Sequence, residues 1–128
     1  MQTTEIKHGD PILEYLGAVR NMSKSTEYEY RFRLNKFRHF INTEFNLSMT
    51  QLIQRLEQGI LDVYHILSKY LTFLSSTSNE SNLSTMAIKL HISTARGFLE
   101  SQSNNIEISP RKFRLRVKIP KVIKRKML

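Results

Sequence analysis

The chain contains no cysteine, and both glycine and proline are rare. Its 128 residues include four glycines and three prolines. Because cysteine is absent, disulfide bonds and cysteine-based zinc sites are excluded. The scarcity of helix-breaking residues favours long helices over a turn-rich β-fold. Since 40% of the residues are apolar and the length suffices for one hydrophobic core, we expect a single folded domain.

Long apolar runs are also missing. No stretch approaches the ~18 residues that a membrane-spanning helix requires. The first ten residues, MQTTEIKHGD, lack the apolar core of a signal peptide. We therefore expect a soluble, cytoplasmic protein.

Acidic residues are absent from the C-terminal end of the chain. Residues 1–108 contain eleven Lys or Arg and eleven Asp or Glu, whereas residues 109–128 contain nine basic residues and no acidic one. The entire net charge of +9 therefore lies in this segment. Such a concentrated positive field indicates a polyanionic partner, above all nucleic acid, although a solubilising or localisation tail has the same composition.

Apolar residues recur at helical spacing in five segments. The predicted helices span residues 10–22, 23–45, 48–59, 60–76 and 83–102. Asp10 followed by Pro11 is typical of a helix start. The caps predicted for the two strongest helices are Ser25 or Thr26 and Ser84 or Thr85.

Polar or period-two patterns mark the remaining segments. Residues 76–82 predict a loop, and the apolar residues from Phe113 to Ile119 alternate with cations, which predicts an extended segment docked against the bundle. Tyr28 and Phe32 lie opposite the apolar stripe of their helix, so we expect the first helix to cover them. The predicted fold is all-α: a bundle of four to five helices in residues 1–108, followed by an extended basic segment, residues 109–128.

No combination of residues is typical of an active site. The four histidines are scattered, and none pairs with another histidine or a carboxylate at metal-ligand spacing: His8, His39, His65 and His91. There is no glycine-rich phosphate loop and no nucleophile elbow. We therefore expect no catalytic residue, metal or cofactor in this chain, which leaves binding as its function.

The starts of the two strongest helices are candidate phosphate contacts. Free backbone N–H groups and hydroxyls at a helix start can hold phosphates, although the same residues can simply cap the helix. Lys24 lies at one start, and Lys89 lies one turn into the other helix. Arg33 and Lys36 continue one flank of the first of these helices, and Arg96 is a further candidate contact on the second.

Three motifs occur in a fixed order along the chain. The first is T-x3-Y-x3-L-x2-F-x2-F at residues 26–40, and the second is I-L-x2-Y-L-x2-L at residues 66–74. The third is S-T-x2-I-x6-A-R-x-F at residues 84–98, followed by I-P-K at residues 119–121. Together they resemble the N-terminal core-binding (SAM-like) domain of tyrosine recombinases, the lambda-integrase family, with similarity to archaeal members. The resemblance covers roughly residues 10–122.

The resemblance implies a domain that grips duplex DNA at a recombination site and performs no chemistry itself. The family's catalytic residues, which include a tyrosine that forms a phosphotyrosine link, lie in a separate C-terminal domain. Residues 109–128 would then be the interdomain linker. The implied partners are double-stranded DNA, that catalytic domain and other recombinase protomers, with no membrane, and the implied location is the nucleoid.

The candidate DNA-binding residues combine the helix starts with the basic segment. They are Lys24, Ser25, Thr26, Glu29, Arg33, Lys36, Ser84, Thr85, Lys89, Arg96, Arg111, Lys112, Arg114, Arg116, Lys118, Lys121, Lys124, Arg125 and Lys126. The alternative is a helical protein-interaction module whose basic tail binds RNA, an acidic partner or a membrane surface.

Overall fold

Six α-helices make up the part of the chain that the structure describes. The computed structural model describes residues 9–19, 22–81 and 83–119, with the backbone alone for 77–81. No strand occurs in these ranges, so the all-α prediction is confirmed, with one helix more than the four to five expected. The helices are α1 (Pro11–Ala18), α2 (Lys24–Phe45), α3 (Met49–Glu57), α4 (Val63–Ser81), α5 (Thr85–Gln102) and α6 (Pro110–Arg116).

Side-chain caps begin several of these helices. Asp10 accepts a hydrogen bond of 3.0 Å from the Ile12 N–H at the start of α1, as the sequence predicts. Ser84 caps α5 in the same way. At α2 the cap is Ser23, which accepts from the Thr26 N–H, so the prediction of Ser25 or Thr26 as the cap is wrong.

The core between α2 and α4 is an aromatic cluster around Tyr70. Its ring is fully buried and lies 5.0 Å from Phe37, 4.9 Å from Phe40 and 6.1 Å from Phe73, measured between ring centroids. The Tyr70 hydroxyl has no hydrogen-bond partner among the described residues. Buried aromatic rings contribute large apolar areas, so this cluster joins the two helices firmly.

Helix α1 covers the seam between α2 and α5. Tyr15 packs edge-on against Phe98, with ring centroids 5.4 Å apart. The α1 residues Ile12 and Leu16 face the core. The prediction that α1 covers Tyr28 and Phe32 is therefore wrong: these side chains are 71% and 58% exposed. An eight-residue helix can bury only one face. Because α1 packs that face against the core, it leaves Tyr28 and Phe32 uncovered.

Helix α4 continues through most of the predicted loop. It extends to Ser81, whereas the sequence predicts a polar loop at 76–82. Extending an existing helix by one residue costs far less than nucleating a new one, so a polar end can follow a strongly amphipathic beginning. Among the described residues, no helix is long and apolar enough to cross a bilayer.

Residues 109–119 contain a helix, and the predicted extended conformation is wrong. Ser109 caps α6 by accepting from the Lys112 N–H, and Pro110 occupies the first turn. Both features favour a helix start. Phe113 and Val117 lie four residues apart, so a helix places both on one face, and they are 9% and 2% exposed. The segment docks on the bundle as expected, but as a helix.

Removal of a hydroxyl is expected to have opposite effects at Tyr70 and Tyr64. Tyr70→Phe should raise the free energy of unfolding by about 1 kcal/mol, because a buried hydroxyl without a partner is removed. Tyr64→Phe should lower it by a similar amount, because the Tyr64 hydroxyl accepts the Ser109 N–H at 2.8 Å. Urea denaturation of both variants checks this, and a loss of stability in Tyr70→Phe would contradict it.

The docking of α6 is expected to depend on Phe113. Phe113→Ala should lower the free energy of unfolding by about 3 kcal/mol, because a buried ring is replaced by a cavity. The matched control is Leu115→Ala on the outer face of α6, where the side chain is 62% exposed, and it should change stability by less than about 0.5 kcal/mol. Equal effects in denaturant titrations would show that α6 is not docked in solution.

Candidate nucleic-acid interface

The outer face of α6 and the residues just after it carry cations that have no acidic partner among the described residues. We call Arg111, Lys112, Arg114, Leu115 and Lys118 the α6 surface. All five are exposed, and none of the four cations forms an ion pair with a described residue. With Phe113 and Val117 buried beneath, the helix holds these charges at fixed positions on the bundle.

Arg116 is the cation of α6 that pairs with an acidic residue within the described ranges. Its Nη2 donates to Asp62 Oδ2 at 2.8 Å, and its guanidinium lies 5.4 Å from the centroid of the Tyr64 ring. Burial alone raises the pKa of the Asp62 carboxyl, but hydrogen bonds from Arg116 and the Tyr64 N–H, with the charges of Arg116 and His65, outweigh it. The pKa of Asp62 therefore lies below its usual value, and the pair is ionised at neutral pH.

The outer face of α5 continues towards α6. Lys89 and Arg96 are two helical turns apart, so they share a face. The Arg96 guanidinium lies 4.4 Å from the centroid of the Phe113 ring, a cation–π contact, and its Nε is 3.9 Å from Glu100 Oε1. Arg96 therefore stabilises the docking of α6, whereas Lys89 is exposed to solvent.

Two predicted contacts on α2 are engaged within the bundle. The Arg33 side chain is 15% exposed and donates to Thr94 Oγ1 at 3.4 Å and to Glu29 Oε1 at 3.1 Å. The Lys36 ammonium lies 5.9 Å from the centroid of the Phe73 ring. These two cations hold α2 against α5 and α4, while Glu29 is exposed.

The contact between α2 and α5 lies nine residues from the start of each helix. Arg33 of α2 donates to Thr94 Oγ1 of α5 at 3.4 Å. At ~1.5 Å per residue, each start is about 13.5 Å of helix away from this contact.

The remaining candidates at the helix starts have mixed environments. Lys24, Ser25 and Thr26 are exposed at the start of α2. Ser84 is exposed and caps α5, and Thr85 is half-buried. Four basic candidates lie outside the described residues: Lys121, Lys124, Arg125 and Lys126.

The sequence analysis missed the residues that hold α6 in place. Asp62 pairs with Arg116, and the Tyr64 hydroxyl accepts the N–H of Ser109. The Ser109–Pro110 pair is a helix-start signal that could have revealed α6. No sequence signal shows that Asp62 contacts a residue 54 positions away.

His91 is buried next to two cations in the seam between α2 and α5. It is 4% exposed, its ring centroid lies 6.1 Å from that of Phe32, and its Nδ1 has no partner among the described residues. Burial, together with the charges of Lys36 and Arg33, lowers the pKa of His91 to about 4. Within the described ranges, no group of three or more His, Asp or Glu residues could hold a metal ion.

Comparison of the chain with protein-family models, with curated proteins and with solved structures gave no match.

The buried His91 predicts a specific pH dependence of stability. Because the pKa is about 4 in the folded chain and ~6.5 in the unfolded chain, the unfolded chain binds the proton more readily. The free energy of unfolding should therefore fall as the pH drops from 6.5 to 4, by up to about 3 kcal/mol. In His91→Leu, this fall in the free energy of unfolding should be absent. Denaturant titrations of both proteins at several pH values measure it.

The matched control is His39→Leu, which removes an exposed histidine from α2. This variant should retain the wild-type pH profile. Parallel profiles for wild type and His91→Leu between pH 4 and 6.5 would contradict the buried, neutral state of His91.

Proposed function

We propose that the chain is a duplex DNA-binding domain of the tyrosine-recombinase core-binding type, which holds the recombination site and performs no chemistry of its own. Strand cleavage and rejoining would belong to a separate C-terminal catalytic domain. The observation that supports DNA binding best is the α6 surface, where four exposed cations without an ion-pair partner in the described part of the chain are held on a neutral bundle.

A docked helix is a better phosphate ligand than a free basic tail. Cations on a fixed backbone lose less conformational freedom on binding than cations on a flexible chain. Helix α6 is about 10 Å long. This length corresponds to about three phosphate positions of one strand, at ~3.4 Å each along the DNA axis. The α6 surface can therefore contact consecutive phosphates.

The recombinase assignment is supported by the sequence motifs and by the all-helical fold. The motif residues Leu34, Phe37 and Phe40 of α2, and Ala95 and Phe98 of α5, are buried in the bundle. Their order along the chain follows the family pattern.

The second candidate function is a protein-interaction module. Two exposed aromatic side chains on α2, Tyr28 and Phe32, favour it, because large exposed apolar groups often mark protein contacts. In this case the basic residues would bind RNA, an acidic protein or a membrane surface.

Neutralising the α6 surface is expected to weaken DNA binding and to flatten its salt dependence. Each phosphate contact contributes a slope of ~0.9 to the plot of log K against log salt concentration, so Arg111→Gln/Arg114→Gln should reduce the slope by about 1.8. Fluorescence anisotropy with a labelled duplex between 50 and 200 mM salt measures this. Deleting residues 109–128 is a poorer test, because it also removes the buried Phe113 and Val117.

The matched control is Arg55→Gln/Lys69→Gln, which removes two exposed cations from α3 and α4. It lowers the net charge equally but should leave the slope unchanged. If both double variants flatten the slope equally, binding is not localised to α6. If the wild type binds RNA, acidic peptides or anionic vesicles but not duplex DNA, the interaction-module function is favoured instead.

A further inference from the structure

Arg116 differs from the other cations of α6 in the direction of its side chain. It lies on the flank of the helix next to the start of α4, where it donates to Asp62 Oδ2 at 2.8 Å. Arg111, Arg114 and Lys118 lie on the outward side of the segment, away from the buried Phe113. One cation of α6 is therefore turned towards the bundle.

Asp62 is held in place to receive Arg116. Its Oδ1 accepts the Tyr64 N–H at 3.0 Å, and its backbone carbonyl accepts the Ile66 N–H at 3.1 Å, so Asp62 caps α4. The Arg116 guanidinium also lies over the Tyr64 ring, with 5.4 Å to the centroid. The carboxylate and the ring together fix the guanidinium on the bundle.

Tyr64 and Asp62 contact both ends of α6. The Tyr64 hydroxyl accepts the N–H of Ser109, the residue that caps α6, and Asp62 holds Arg116 in the last turn. A phosphate could bind Arg116 only by competing with Asp62 for the guanidinium, in a pair whose side chains are 51% and 46% exposed. It would also have to draw the guanidinium away from the ring.

We propose that Asp62 withholds Arg116 from the phosphate backbone and thereby limits the strength of DNA binding. This inference rests on the proposed function, and it makes Asp62 a positioning residue rather than a DNA contact. The docked protein then binds with the cations of the α6 surface, and Arg116 becomes available only when Asp62 loses its negative charge.

The structure allows the charge of Asp62 to be removed without loss of the helix cap. Asparagine and aspartate are equally good N-cap residues, so Asp62→Asn retains an acceptor for the Tyr64 N–H. The matched control is Glu107→Gln, because Glu107 is an exposed acid just before α6 that forms no ion pair with a described residue. Both variants raise the net charge by the same amount.

Salt titrations of duplex binding should separate the two variants. Asp62→Asn should steepen the slope by about 0.9, so that affinity falls about 3.5-fold more than for wild type between 50 and 200 mM salt. Glu107→Gln should leave the slope at the wild-type value, because it adds no phosphate contact. A slope for Asp62→Asn equal to that of Glu107→Gln would overturn the proposal.

Two further variants test Arg116 itself. Arg116→Gln alone should leave the slope unchanged, whereas Arg114→Gln should reduce it by about 0.9. In the Arg116→Gln background, Asp62→Asn should no longer steepen the slope. A reduced slope in Arg116→Gln would show that Arg116 already contacts DNA and would overturn the proposal while leaving the DNA-binding function intact. A wild-type protein that does not bind the duplex at 50 mM salt would overturn both.

Discussion

The burial of Phe113 and Val117 is the contact on which the candidate interface depends. Their side chains fix a seven-residue helix on a bundle whose own charges balance. A helix this short would not be stable alone in water, because nucleation is costly and too few hydrogen bonds offset it. Tertiary contact therefore gives α6 both its conformation and the fixed positions of its cations.

The described basic residues include two groups with different physical roles. Arg33, Arg96 and Arg116 contact rings, hydroxyls or carboxylates of the bundle and hold helices together. The cations of the α6 surface have no such partners among the described residues. Net charge alone does not distinguish these groups, because it counts a cation that is paired within the fold in the same way as an unpaired one. Of these two groups, the second is the candidate surface for a polyanion.

Much of the bundle could be predicted from periodicity. The positions of the first five helices follow from apolar spacing, and Asp10 and Ser84 cap helices as their sequence context suggests. The prediction for residues 109–119 was wrong because Phe113, Leu115 and Val117 fit a period of two, whereas Phe113 and Val117 alone also fit a four-residue helical repeat. The Ser109–Pro110 start and the burial of Phe113 and Val117 favour the helix, which leaves Leu115 exposed to solvent.

The amino-acid sequence is enough to establish the helical class, the neutral body and the confinement of the entire excess charge to the last twenty residues. These properties follow from composition and local spacing, which do not depend on the arrangement of the helices. Which of the described cations have a partner is known only from the packing of the helices. The partner of each charge is set by residues distant in the chain, as in the contact of Arg116 with Asp62 or of Arg33 with Thr94. Such pairings depend on how the helices pack, and no local pattern encodes them.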